Sequence, residues 1–130
     1  MISGLDISFM QRALNLADLA RGMTSPNPTV GAVIAKGEDV IGEGYHRRAG
    51  SDHAEVAAIK AAASDGKDTR GATIFVTLEP CCHTGRPGPC TEALISAGIS
   101  RGVVASLDPS AQLNGKGMAR LRAAGVQVEG

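Results

Sequence analysis

Ala72-Thr73-Ile74-Phe75-Val76-Thr77-Leu78 runs straight into Glu79-Pro80-Cys81-Cys82-His83-Thr84-Gly85-Arg86-Pro87-Gly88-Pro89-Cys90. The first part is rich in β-branched and aromatic residues with no alternation of polar positions, the pattern of a strand buried on both faces of a sheet covered by helices. The second part holds all three cysteines and one of the three histidines of the chain. A buried strand that ends in such a cluster predicts a metal at the strand's carboxyl end.

Downstream of the cluster, Thr91 to Gly98 reads as a short helix with a glycine stop and Val103 to Leu107 as a strand. Asp108 to Gly117 is rich in turn formers, Met118 to Ala124 forms a last helix closed by Gly125, and Val126-Gln127-Val128 a final short strand. Upstream, the small residues Ala54, Ala57, Ala58, Ala61 and Ala62 recur at helical spacing, so the helix from His53 to Ala63 presents a face of methyl groups that can approach a sheet closely. Asp52 is its expected N-cap, with His53 in the first turn. Thr29 to Ala35 and Val40 to Tyr45 flank the polar spacer Lys36-Gly37-Glu38-Asp39 as an antiparallel hairpin, whose glycines suggest close backbone approach. Ile7, Met10, Leu14 and Ala17, widened by Ala13, Leu16 and Ala20, predict a first helix over 6–21 stopped by Gly22. Strands and helices alternate after the hairpin, which gives an α/β fold: a three-layer α/β/α sandwich with a mixed central sheet.

At 130 residues, one domain over 1–130 is expected. Thirteen basic and thirteen acidic residues cancel, so there is no electrostatic footprint for nucleic acid or an anionic membrane. Phe9, Phe75 and Tyr45 are the only aromatics, too few for a base-stacking platform. The expected partner is therefore a small molecule. No apolar run approaches the ~20 residues of a membrane span, and clustered cysteines in an odd number do not make a secreted disulfide framework. The protein is expected to be cytoplasmic.

Zinc takes thiolate and neutral imidazole readily, and a catalytic zinc keeps three protein ligands with one position open. His53, Cys81 and Cys90 supply such a set. Two thiolates offset the charge of the ion, so water activation there calls for a neighbouring base, and Glu55, two residues from His53, is that base. His53-Ala54-Glu55 with Pro80-Cys81 follows the H-x-E and P-C-x-x-C signature of zinc deaminases up to the second cysteine, which here is Cys90. Cys82 reads as a bystander thiol. His83 is an alternative ligand to His53, and either Cys82 or His83 would complete a closed, purely structural site.

Thr24-Ser25-Pro26-Asn27-Pro28, Gly44-Tyr45-His46, His53-Ala54-Glu55, Leu78-Glu79-Pro80-Cys81 with His83, Gly85-Arg86 and Pro89-Cys90, and Gly115-Lys116-Gly117 together resemble the deaminase domain of the bifunctional riboflavin-biosynthesis deaminase/reductases, in the cytidine-deaminase-like superfamily. The resemblance runs nearly end to end. It implies hydrolytic removal of the 2-amino group of 2,5-diamino-6-(5-phosphoribosylamino)pyrimidin-4-one with Zn2+ as cofactor and Glu55 as proton shuttle. It further implies that Asn27 and His46 contact base or ribose, that His83 and Arg86 contact substrate, with Arg86 suited to the phosphate, and that the protein is a homo-oligomer. The resemblance is to the deaminase domain, and the chain is expected to form that single domain without the family's reductase domain. Two stretches depart from the usual pattern: Pro87-Gly88 before the last cysteine, and Asp108-Pro109-Ser110-Ala111, where the family usually carries an asparagine in place of Ser110. The alternative functions are a related zinc deaminase acting on another base, a nucleoside or a transfer RNA, and a non-catalytic module with structural zinc.

Overall fold

The computed structural model describes residues 2–19, 30–45, 53–78, 90–106 and 115–129. Asn27, His46, Asp52, Cys81, Cys82, His83 and Arg86 lie outside these residues, as do the proposed helix stop at Gly22 and the two departures from the family pattern. The elements run α1 (Gly4–Leu19), β1 (Gly31–Lys36), β2 (Asp39–Tyr45), α2 (Ala54–Ser64), β3 (Thr73–Val76), α3 (Cys90–Ser96), β4 (Arg101–Val104), α4 (Lys116–Ala123) and β5 (Gln127–Glu129). The strands form one sheet in the order β2-β1-β3-β4-β5. β1 is antiparallel to both β2 and β3, whereas β3, β4 and β5 are parallel. The sheet is therefore mixed, as expected, because a hairpin opens it and helical crossovers complete it.

Two apolar clusters show the layers. On one face Ile34, Ile74, Val76 and Val104 pack with Ala54 and Ala58 of α2, Leu94 of α3 and Met118 and Leu121 of α4. On the other face Val33, Phe75 and Val103 pack with Phe9 and Ala13 of α1, and the Phe9 and Phe75 rings are 5.3 Å apart. The three-layer sandwich thus has three helices on one side of the sheet and α1 on the other.

The hairpin is tighter than its sequence implies. Lys36 pairs with Asp39, which leaves Gly37-Glu38 as the loop, and Gly37 takes the left-handed φ of 65° required at the first central position of a primed turn. Register shifts by one residue between Ile34 and Ala35.

α1 departs from the sequence expectation at its start and in its buried face. It begins at Gly4 instead of residue 6, because Ser3 and Asp6 cap it reciprocally: the Asp6 N–H donates to Ser3 Oγ at 3.1 Å and the Ser3 N–H to the Asp6 carboxylate at 2.9 Å. This is a capping box with aspartate in the role usually taken by glutamate. Phe9, Ala13 and Ala17 are buried, whereas Ile7 is 62% and Leu14 43% exposed. Gly31 explains the difference. A Cβ there would lie 2.0 Å from the Ala13 carbonyl oxygen and 2.8 Å from the Ala17 nitrogen, so the helix meets β1 backbone to backbone. Only small side chains fit beneath that contact, and the bulkier apolar residues turn outward.

Candidate active site

Gly42 and Gly44 of β2 perform on the opposite face what Gly31 does beneath α1. A Cβ at Gly44 would stand 2.5 Å from the Ala54 carbonyl oxygen and 2.6 Å from the Ala58 nitrogen, and one at Gly42 2.3 Å from the Ala58 carbonyl oxygen. Ala54, Ala58 and Ala62 are completely buried. The alanine face of α2 therefore lies directly on bare strand backbone, at a separation no larger residue permits, and this fixes where the N-terminus of α2 falls.

His53 stands at that N-terminus. Its backbone is extended (φ −65°, ψ 159°) and it is the N-cap itself, not a first-turn residue behind an Asp52 cap. The physical sign is its carbonyl, which accepts the opening helical hydrogen bond from the Ala57 N–H at 2.9 Å while its own torsions remain outside the helix. Glu55 follows inside the first turn, near the positive end of the helix dipole, and is only 4% exposed. A carboxyl buried at a helix start next to a histidine is placed for chemistry with that histidine's neighbourhood.

Cys90 opens α3 and is fully buried. Its Sγ lies 3.0 Å from Nδ1 of His53, although 37 residues separate the two in sequence. The pairing follows from topology, since α2 and α3 cover the same face of the sheet. An imidazole nitrogen and a thiol facing each other form two of the three ligands proposed for zinc, and this donor chemistry suits that ion. Cys81, the third, falls outside the described residues. Of the sequence-predicted site residues, the structure brings together His53 and Cys90, and Glu55 is buried in the first turn of the helix that His53 caps.

The carboxyl end of β3, which leads to Cys81, is tied down on both sides. The Thr77 N–H donates to the Gly31 carbonyl and the Gly31 N–H donates to Thr77 Oγ1, each at 3.1 Å, while the Ala105 N–H donates to the Val76 carbonyl at 3.0 Å. The opposite end of the sheet is held by charge. The Arg101 guanidinium donates to both carboxylate oxygens of Asp6 at 3.0 and 2.8 Å and, through Nε, to Glu129 at 2.6 Å. These hydrogen bonds hold the Asp6 carboxyl far below the usual carboxylate range. No helix among the described residues is long and apolar enough to cross a membrane.

The family described as the cytidine and deoxycytidylate deaminase zinc-binding region matches residues 4–106. The riboflavin biosynthesis protein RibD of Aquifex aeolicus is 51% identical over 129 residues, which cover 99% of this chain and 35% of that protein. The diaminohydroxyphosphoribosylamino-pyrimidine deaminase of Buchnera aphidicola subsp. Acyrthosiphon pisum is 44% identical over 124 residues, 95% of this chain and 82% of that protein. The solved structure of Acinetobacter baumannii RibD, form 2, is similar with a TM-score of 0.90 at 47% identity, covering 96% of this chain and 34% of that one. The chain spans about a third of the length of the RibD relatives and most of the Buchnera deaminase. Since identity at this level extends over nearly the whole chain, it belongs to the cytidine and deoxycytidylate deaminase zinc-binding family, on the branch that holds the diaminohydroxyphosphoribosylamino-pyrimidine deaminases.

Proposed function

We propose that this chain hydrolytically deaminates 2,5-diamino-6-(5-phosphoribosylamino)pyrimidin-4-one, replacing the 2-amino group by a carbonyl and releasing ammonia as a step of riboflavin biosynthesis. The observation that carries this reading is the facing of His53 Nδ1 and Cys90 Sγ at 3.0 Å, with the buried Glu55 two residues from the histidine.

His53, Cys90 and Cys81 would hold zinc, which when bound supplies Lewis acidity that makes water a competent nucleophile at neutral pH. Glu55 moves the protons. It accepts one from the attacking water and delivers it to the ring nitrogen beside the amine-bearing carbon, then assists a second onto the departing amine. One C–O bond forms, one C–N bond breaks, and no electrons are exchanged with a cofactor. Burial of Glu55 suits this role because it excludes bulk water as a competing proton partner. Asn27 and His46 orient the base and ribose, while His83 and Arg86 hold the substrate from the loop between the cysteines, Arg86 through charge-assisted hydrogen bonds to the phosphate. A second reading, a deaminase for another pyrimidine, rests on Ser110 standing where the family usually carries asparagine.

The test is ammonia release by the zinc-loaded protein from the diaminopyrimidine phosphate, its dephosphorylated form, cytidine and deoxycytidylate. The phosphorylated diaminopyrimidine is expected to have the highest kcat/KM, and Arg86→Ala to raise its KM selectively. Preference for a compound without the phosphate would remove the assigned role of Arg86, and preference for a cytosine substrate would replace the proposed reaction.

A further inference from the structure

Gly31 and Thr77 continue the antiparallel ladder of β1 and β3 by one position beyond the Ala32–Val76 pair, but they do not close it in the ordinary way. The Thr77 N–H reaches the Gly31 carbonyl as a ladder bond should. In the return direction the Gly31 N–H is met by the Thr77 hydroxyl at 3.1 Å, where a regular pair would offer the threonine carbonyl. The side chain stands in for its own backbone. That substitution satisfies the buried Gly31 N–H while the main chain at Thr77 and Leu78 already bends out of the strand.

Both partners are closely confined. Thr77 is 8% exposed, and Gly31 is wedged against the α1 backbone so tightly that no Cβ fits. The pair also sits where two assigned loops are rooted. Cys81 follows Thr77 by four residues and Asn27 precedes Gly31 by four. Four residues reach at most ~14 Å when fully extended, so the angle at which the chain leaves Thr77 strongly constrains where Cys81 arrives.

We propose that Thr77 is a positioning residue of the deaminase: its hydroxyl, replacing its carbonyl opposite Gly31, sets the exit of the chain from β3 toward the zinc ligand Cys81 and fixes it beside the strand entry that follows Asn27. The proposal rests on the functional reading above for the roles of Cys81 and Asn27. It ascribes to Thr77 no contact with substrate or metal.

The experiment compares T77V, which keeps the shape and the N–H but loses the acceptor, with T77S, which keeps the acceptor, at a temperature where both are fully folded by circular dichroism. Steady-state kinetics and the rate at which zinc passes to a chelator are measured on each full-length chain. T77V is expected to lose about 10- to 100-fold in kcat/KM and to release zinc about 10-fold faster, with T77S within about 2-fold of the wild type in both. Should T77V not fold, T77A, which leaves room for water to meet the Gly31 N–H, is measured with the same expectations. Wild-type kinetics and zinc retention in the folded variant would overturn the proposal, as would a T77S as impaired as T77V. Faster zinc release from T77V in a protein whose wild type deaminates none of the substrates would sink the functional reading and leave the positioning role standing.

Discussion

α1 and α2 both meet the sheet with backbone against backbone, yet they are secured by different means. Gly31 admits α1, and the N-terminus of that helix is then tied by Asp6 to Arg101, which also holds Glu129, while Arg12 pairs with Glu43 of β2. At the α2 interface, Gly42 and Gly44 meet Ala54, Ala58 and Ala62 through packing of methyl groups on bare strand. The difference follows what each helix carries. α2 bears His53 and Glu55 at its start, and a site that aims an imidazole at a thiol on another helix depends on a separation set by hard contact. Long charged side chains tolerate small displacements, so they suit an anchor remote from the chemistry.

The comparison breaks most sharply at Glu55. Glu55→Gln is expected to reduce turnover by about 10²- to 10⁴-fold while leaving zinc content and urea stability at wild-type levels, since the amide keeps the shape of the buried side chain. Gly44→Val should damage fold and activity together. Its side chain would be driven into the α2 backbone at Ala54 and Ala58, and overpacking of this kind costs about 1–3 kcal/mol or more, read as a lower urea midpoint with turnover reduced in the protein that remains folded. A Gly44→Val chain with unchanged kinetics would show that the α2 separation does not govern the site.

Asp6→Asn should affect stability alone. Losing the charge opposite Arg101 is expected to cost about 1–3 kcal/mol, with kcat and KM unchanged. The pH dependence has a definite sign. Asp6 is held below its ordinary range mainly by its hydrogen bonds from Arg101, so its contribution is fully present above the unfolded carboxylate value of about 3.9 and is lost as pH falls from there toward the depressed folded value. Denaturation midpoints measured from pH 6 down to pH 2, an interval chosen to bracket about 3.9, should fall less steeply in Asp6→Asn than in the wild type. Equal slopes would mean that the Asp6–Arg101 pair contributes nothing net to folding.

The strand into Cys81, the hairpin glycines and the alanine face of α2 were legible in the sequence because each is a dense local pattern with one physical meaning. The mixed character of the sheet was implied by the hairpin followed by alternating elements, whereas the strand order β2-β1-β3-β4-β5 was not. What escaped depends on distant partners. Helical periodicity puts Ile7 and Leu14 on the buried face of α1, yet both are exposed, since nothing in that periodicity reveals that Gly31, well downstream, demands small residues beneath the helix. Its start was missed because Ser3-x-x-Asp6 is a capping box with the less usual acid. Cap preference favours aspartate and so points to Asp52, whereas His53 takes the N-cap because the start of α2 is decided by its seat on β2. Thr77 gave no signal at all: a threonine ending a strand run looks like any strand former until its hydroxyl is seen on Gly31.

The measurement that bears most directly on the hydrolytic centre proposed at the start of α2 is the time course of ammonia release from the diaminopyrimidine phosphate by wild type and Glu55→Gln, each loaded with equal zinc. The assignment predicts continuous release by the wild type over many turnovers and almost none by the variant. Equal rates for the two proteins, or no release by a wild type that holds its zinc, would contradict it.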